Sequence, residues 1–502
     1  MNTTMLTPQA REVPGAGSLR RPALLVTLGM MLYAALAGCV SRGDWHATPA
    51  IAPQNLVASR TLANATLTPA AWPTDAWWTG YGDPQLNSLI EESFAGSPSL
   101  EIAEARLRAA QSQATRARST LLPTTSANAE VGRQRYPENG VFPPPFAGSF
   151  VTDGRLALDF SYDIDFWGRN REALSSARAS VLAAEADRAA AHLALAVAVA
   201  RAYFQLDTGY AFLDVVKANL EQQQSILDLT RRRVEAGLEN NARVKQSEAQ
   251  VSLVQAEVDA TQQNIDTTRN ALAALVGVGP DRGLDLPRPH LTAPTNIALP
   301  SALPVDLLGR RPDVSAARWR VEAAARGVAS SEAAFYPNVN LAAFVGLQAV
   351  GLSKLFDAND TIVGASPALS LPVFNRGQLK GALQAQQAQY DLAVGQYNQS
   401  LIDAIHDVAD VMANWAATEK ETTDARAALE SAQRSYELTR QRYGAGLDNY
   451  LSVLSTENQV FNAEGVLAEL QSRRLTVSTD LIRALGGGYS PAASLSTPQS
   501  PQ

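Results

Sequence analysis

The chain has 502 residues but only one cysteine, Cys39, and four histidines. A single cysteine excludes a disulfide within the chain, and no two histidines share the spacing of metal ligands. Acidic residues outnumber basic ones, 49 to 42, and the basic residues form no clustered patch, which argues against a nucleic-acid binder. The sequence also contains no nucleophile motif and no phosphate-binding loop. We therefore predict a protein that is not an enzyme and that uses no cofactor and no metal.

The position of Cys39 is informative. Three arginines precede an apolar run at 23–36, which is too short for a membrane helix but typical of a secretory signal. The run ends in Leu-Ala-Gly-Cys, which resembles a bacterial lipobox, and by resemblance to bacterial sorting rules the valine at position 40, in place of aspartate, favours the outer membrane. We predict a signal peptide at 1–38, lipidation (palmitate) at Cys39, and an extended tether at 39–71, rich in Ala, Thr and Pro. The alternative is an ordinary signal peptide with an incidental cysteine.

Proline is missing from two long windows, 146–279 and 373–490. Each window predicts one very long helix, at 168–235 and 376–443, followed by a return helix at about 240–276 and 449–485. A helix of 68 residues is about 100 Å long at ~1.5 Å per residue. Periodic patterns of this length without internal caps favour a coiled coil or a helical tube.

The turns between these helices are related by duplication. Segments 229–250 and 438–459 are identical at 11 of 22 aligned positions. Each long helix meets a glycine, and each return helix starts at an asparagine, which are the expected stop and start signals. We predict two tip loops, at 236–240 and 444–449.

Apolar and polar residues alternate after each of two shorter helices. The clearest case is 155–166, where one face carries apolar side chains only (Leu156, Leu158, Phe160, Tyr162, Ile164, Phe166). We predict two β-hairpins, at 124–166 and 338–373, with a proline-rich loop at 136–149. Strands of this kind suit a transmembrane β-barrel, and the alternative is a small soluble sheet.

Four strands cannot close a barrel, and an open sheet edge is not tolerated in lipid. Three copies would supply twelve strands, an even number within the known range. The predicted fold is mainly α with a membrane β-barrel: a long α-helical barrel continues a trimeric 12-stranded β-barrel, and the chain is internally duplicated. The repeats are 72–280 and 306–486, with a connector at 281–305 and a disordered tail at 487–502.

Four local motifs carry a resemblance to a known family. They are Trp77-Trp78 through Asp83-Pro84-Gln85-Leu86, Arg310-Arg311-Pro312-Asp313, the run 371–377, and the tip segment 442–451. In this order, over about 72–486, they resemble the outer-membrane efflux factors (TolC-like), in particular their NodT-like lipoprotein branch. The resemblance implies a trimeric, passive exit duct for drugs or other small molecules, spanning outer membrane and periplasm. Its partners would be a periplasmic adaptor and an inner-membrane transporter.

The resemblance also implies roles for residues at the tips. In the family the tips nearly close the tube and open when the adaptor engages, so we place a constriction at Asp448, Asn449 and Leu451, with Glu239 near the same level. Three-fold symmetry would turn each into a ring, and rings of carboxylates and leucines repel anions and water respectively. The alternative is that Asp448 only caps a helix and Leu451 only packs. Ser455 stands where members of the resembled family often carry a second acidic residue, so this sequence departs from the family's pattern of a double acidic ring.

Two further sets of residues complete the predicted gate. Arg442 and Tyr443 resemble the family's latch between neighbouring helices. The turns Gly237-Leu238 and Gly446-Leu447 are the expected adaptor contacts, because glycine leaves backbone groups accessible. The glycines would end the helices in any case.

Two other functions fit parts of the pattern. The duct could carry secreted protein or polysaccharide instead of small molecules. A coiled-coil envelope lipoprotein without a channel would explain the helices but not the two amphipathic hairpins.

Overall fold

The computed structural model describes residues 45–52, 55–56, 72–139, 141–292, 309–372 and 374–490. The predicted signal peptide, Cys39, most of the tether, much of the connector and most of the tail lie outside these ranges. The chain divides into two compact units. A sheet unit contains 118–173 and 326–388, and a helical unit contains 48–117, 174–325 and 389–502.

The sheet unit holds four antiparallel strands in the order β1-β2-β3-β4. They are β1 Thr124–Arg135, β2 Phe150–Ile164, β3 Asn338–Val350 and β4 Thr361–Ser370. Within one described chain, β1 and β4 each pair along one edge only. Both edges are long and uncovered, which is the arrangement that strands of a neighbouring copy can complete.

The predicted hairpins, 124–166 and 338–373, extend two or three residues beyond the last strand residue of each observed hairpin. β2 stops at Ile164, because the carboxylate of Asp165 accepts hydrogen bonds from the backbone N–H of Asn170 and Arg171. Those bonds satisfy the first turn of the following helix, so the segment cannot remain in the strand. β4 likewise stops at Ser370, two residues before Pro372, which has no N–H to donate to a ladder.

One face of the sheet is apolar and open to the surroundings. Leu156, Leu158 and Phe160 of β2 are each about two-fifths exposed, and they stand opposite Leu347, Val345 and Ala343 of β3. The other face is polar: Arg155 and Asp159 form a salt bridge of 2.6 Å, and Asn128 donates to the same carboxylate at 2.7 Å. Such a sheet is suited to lipid on one side and water on the other.

The α-helices of more than four residues that the structure describes are α1 Pro84–Gly96, α2 Pro98–Ser119, α3 Arg169–Glu235, α4 Asn241–Val276, α5 Pro312–Ala333, α6 Arg376–Gly444 and α7 Tyr450–Ala484. The long pair, α3 and α6, have 67 and 69 residues. They match the proline-free windows because each interior residue can donate to the carbonyl four residues earlier.

Asp83 connects the start of α1 to the main core of the helical unit. Its side chain caps α1 by accepting from the N–H of Gln85, and it also accepts from the Tyr203 hydroxyl and the His290 N–H, both at 2.8 Å. Pro84 fills the first helical position, where no N–H is needed. Around Asp83 lie buried aromatic and aliphatic side chains (Trp77, Trp78, Tyr81, Leu86, Ile90, Phe204, Leu272). The Trp77–Leu86 motif is therefore a core-forming motif.

Among the described helices, only α3 contains a stretch that could cross a membrane by its length and composition. Its side chains instead form part of the core: Val199, Tyr203 and Phe204 are fully buried. This burial explains why the stretch is apolar nearly all round.

Arg311 anchors the beginning of α5. It is buried and pairs with Asp313 at 2.6 Å and with Asp407 of α6 at 2.9 Å. It also donates to the carbonyl of Ala484 at the end of α7, at 3.4 Å. The Arg310–Asp313 motif thus connects three helices around one guanidinium.

Candidate gate at the helical tips

The two tip loops have the same backbone geometry. Gly237 and Gly446 adopt φ of +72° and +75°, and the leucine after each one donates its N–H to a carbonyl five residues earlier, at 2.8 and 2.9 Å. This is the Schellman arrangement that ends a helix, and its left-handed position favours glycine. Asn240 and Asn449 then cap α4 and α7 by accepting from backbone N–H groups of the first turn. The duplication in sequence is therefore a duplication in three dimensions.

An arginine and a carboxylate six residues apart pair in each tip. In the second tip, Nε of Arg442 lies 3.2 Å from Oδ2 of Asp448. In the first tip, Arg233 lies 3.9 Å from Glu239. Hydrogen bonds from Ser452, the Asn449 N–H and Arg442 hold the pKa of Asp448 below its usual range, so this carboxylate is ionised at neutral pH.

An aromatic cluster joins the two tips behind these pairs. Tyr443 and Tyr450 are buried with ring centroids 6.3 Å apart, and Ile226 and Val453 pack around them. The guanidinium of Arg233 lies over the Tyr443 ring at 5.0 Å, and the Tyr450 hydroxyl lies 3.2 Å from Ser247 Oγ. The two hairpins of one chain are therefore held together here by packing, a cation–π contact and a hydrogen bond.

A buried carboxylate lies close to this cluster. Glu457 of α7 is 2% exposed, and its Oε2 accepts from the Gln223 amide of α3 at 3.1 Å. Among the described residues, Oε1 of Glu457 and Oε1 of Gln223 have no hydrogen-bond partner. Burial raises the pKa of Glu457 to about 7, and the amide of Gln223 opposes this only in part. A proton on Glu457 would supply the donor that the two free oxygens lack.

The predicted tip residues lie in one region of the structure, but they differ in exposure and in the contacts they make. Leu238, Leu447 and Leu451 are exposed, at 66%, 70% and 49%. Asn449 uses its side-chain oxygen as the α7 cap, and Glu239 faces Arg233. Arg442 bonds within its own loop, whereas Tyr443 packs against Tyr450 and Arg233.

Sequence reasoning missed Glu457, Gln223 and the stacking role of Arg233. A signal was present: Gln223 lies three residues before buried Ile226, and Glu457 lies four residues after buried Val453. A polar residue at the spacing of an apolar stripe indicates a buried polar contact. Gln223 and Glu457 lie 234 residues apart in the chain, so helical spacing could not show that they are partners.

The rim of the sheet next to the starts of α3 and α6 carries further aromatic residues. Trp167 stacks on Tyr336 with centroids 4.5 Å apart and donates to the Pro337 carbonyl at 3.0 Å. Phe166 and Phe374 are largely or fully exposed. Aromatic rings at this level are typical of the interface between lipid and water.

Comparison with known proteins agrees with this architecture. The chain matches the family model "Outer membrane efflux protein" over 89–278 and 303–487. The fusaric acid resistance protein FusA of Burkholderia cepacia is 39% identical over 378 residues, covering 74% of this chain and 71% of that protein. The multidrug resistance outer membrane protein MdtP of Escherichia coli K12 is 32% identical over 437 residues, covering 84% and 88%.

Solved structures give the same fold. The outer membrane protein VceC of Vibrio cholerae superposes with a TM-score of 0.79 at 39% identity, covering 84% of this chain and all of that one. The outer-membrane channel OprN superposes with a TM-score of 0.79 at 26% identity. These superpositions, together with the family match, confirm the predicted fold class and the predicted resemblance. The chain belongs to the outer membrane efflux protein family.

Proposed function

We propose that this chain is the outer-membrane exit duct of a tripartite efflux pump and works as a homotrimer. The observation that carries the proposal is the sheet: four strands with two unpaired edges and one exposed apolar face, in a chain with two very long helical hairpins. Three copies would pair β4 of one chain with β1 of the next and leave no edge in lipid. The duct would passively conduct drugs or other small molecules, as the names of FusA and MdtP suggest for those relatives.

The polar face of the sheet would line the duct. Asp153, Asp159 and Asp163 fall on this face of β2, together with Arg155. Carboxylates there and at the tips favour cations over anions inside the channel. Among the described residues, no group of His, Cys, Asp and Glu could hold a metal ion, and we propose neither a cofactor nor a catalytic step.

The gate would lie at the tips, at Asp448, Asn449, Leu451 and Glu239. Exposure of Leu451 leaves it free to form a ring of apolar side chains around a three-fold axis. The Arg442–Asp448 bond would keep the second tip in its compact form. The latch is better described as two contacts: Arg442 within its loop, and Tyr443 between the two hairpins.

The periplasmic adaptor would dock on the turns Gly237-Leu238 and Gly446-Leu447. Both leucines are exposed, and a Cβ built on either glycine meets no atom within 4 Å. The inner-membrane transporter would supply the energy. The lipid anchor at Cys39, after removal of the 1–38 signal peptide, would attach the duct to the outer membrane of a bacterial cell.

Three measurements test the proposal. Electron microscopy of the mature, detergent-purified chain should show a hollow three-fold particle, and compact monomers or solid rods would contradict it. Deletion of the gene in its own host should raise susceptibility to toxic small molecules, and plasmid-borne wild type should restore resistance. A deletion that instead blocks export of a protein or polysaccharide would favour the other cargo. Mass spectrometry of the mature N-terminus, with Cys39→Ser as control, tests lipidation.

A further inference from the structure

The apolar face of the sheet ends in two arginines. The alternation of side chains and the pairing register show which residues lie on this face. They are the odd-numbered residues of β1, β3 and β4 and the even-numbered residues of β2. Within the four described strands, Arg133 and Arg135 are the only charged residues on it. Both lie at the end of β1 that leads into the hairpin loop, opposite Thr152 and Phe150.

The position of these arginines matches the height of a lipid head group. Along β2, the uncharged part of this face runs from Ile164 to Gly154. That length is about 33 Å at ~3.3 Å per residue, or about 25 Å across the membrane for strands tilted by ~40°. The apolar band of an outer-membrane barrel is also about 25 Å tall. The aromatic rim at Trp167 marks one border of the band, so Arg133 stands at the other.

The local contacts hold the arginines ready for an anion. The Arg133 guanidinium lies over the Phe150 ring at 6.0 Å, and within the described ranges it has no ion-pair partner. Arg135 donates to the Gly148 carbonyl at 3.2 Å and lies 3.3 Å from Glu138. An aromatic ring orients a guanidinium without neutralising its charge, and a planar guanidinium suits bidentate binding of phosphate.

We propose that Arg133, supported by Arg135, binds a phosphate of the glycolipid that forms the outer leaflet of the outer membrane. The proposal rests on the proposed barrel, because the barrel places this face in lipid and the hairpin loops outside. A partner of opposite charge is needed at the height of Arg133, and the phosphate groups of the outer leaflet lie at that border. Long side chains at such a border reach the head groups while their stems stay in the apolar layer.

The test uses the full mature chain, purified in detergent and stripped of lipid. Native mass spectrometry measures binding of bis-phosphorylated lipid A and of monophosphoryl lipid A to the intact assembly. We expect the bis-phosphorylated form to bind more tightly, and Arg133→Gln to weaken it about tenfold, as loss of one charge-assisted hydrogen-bonding group predicts. Arg133→Lys should restore part of the affinity. Arg108→Gln, which removes the same charge from an exposed position on α2, should leave binding unchanged.

Equal affinity for the two lipids, or equal loss in Arg133→Gln and Arg108→Gln, would overturn the proposal. So would weakened assembly of Arg133→Gln with unchanged lipid binding, since that result would assign Arg133 to a contact with the next copy. The same spectra distinguish failure of this inference from failure of the proposed duct. Trimers that bind lipid A independently of Arg133 would refute only this inference, whereas a chain that forms no trimer would refute the proposed duct as well.

Discussion

Glu457 makes the packing of the tip region depend on pH. Its pKa is raised from 4.5 to about 7 because the side chain is buried against Gln223. Below pH 4.5 the carboxyl is protonated in both the folded and the unfolded chain. Between these two values the folded state holds a proton that the unfolded state has released, so the free energy of unfolding falls as pH rises. Above about pH 7 both states are ionised and the loss is complete.

The magnitude follows from the two pKa values. The difference between these pKa values corresponds to a loss of about 3 kcal/mol in the free energy of unfolding per chain. About 2 kcal/mol of this loss occurs between pH 5.5 and pH 8. A change of about 2 kcal/mol shifts the equilibrium constant for opening of the tip region about thirtyfold. Glu457→Gln removes the titration and keeps the shape, and its amide can donate to the free oxygen of Gln223.

Hydrogen exchange of the peptides around 450–460 measures this opening in the detergent-purified protein. Comparison of wild type with Glu457→Gln at the same pH cancels most of the intrinsic dependence of exchange on pH. We expect wild type to open about thirtyfold more readily, relative to the variant, at pH 8 than at pH 5.5. Glu430→Gln, which changes an exposed carboxylate of α6, is the matched control and should show a constant ratio. A constant ratio for Glu457→Gln as well would refute the reasoning.

Three further changes test the fold and the tips. Asp83→Ala removes the α1 cap and leaves the buried Tyr203 hydroxyl and the His290 N–H without their acceptor, so it should cost about 3 kcal/mol and lower the thermal midpoint, whereas Asp83→Asn should cost less. Arg311→Gln removes the buried guanidinium from Asp313 and Asp407, although Asp407 keeps Arg483 at 3.6 Å, and should cost about 2–3 kcal/mol, seen as early melting of the helical unit in hydrogen exchange. Gly446→Val forces a side chain into the left-handed region and should speed exchange of the second tip, while Gly446→Asn should be tolerated; equal effects of the two would contradict the backbone argument.

The helices and turns were predictable because their signals are local. A proline-free window sets the length of α3 and α6, a glycine ends each, and Asn240 and Asn449 begin the return helices. The strand ends were less predictable. Asp165 continues the alternating pattern, yet its carboxylate bonds to the next helix, and only the backbone geometry shows which role prevails.

The contacts between the two hairpins could not be read from the sequence. Arg233 stacks on Tyr443, and Gln223 meets Glu457, across more than 200 residues of chain. Each residue on its own fits an ordinary amphipathic helix. Helical spacing can indicate that a polar side chain lies on a buried stripe, but it cannot identify the residue on the facing helix. The duplication related the tips to each other but did not predict that Tyr443 packs between them.

The central claim is that the tips close the duct, and single-channel conductance in planar bilayers tests it most directly. Wild-type protein should conduct poorly. Asp448→Ala combined with Leu451→Ala should raise the conductance, because it removes both the charged and the apolar ring proposed for the constriction. The matched control is Glu430→Ala combined with Leu392→Ala, at exposed positions of α6 away from the tips, and it should behave as wild type. A tip variant with wild-type conductance would contradict the claim.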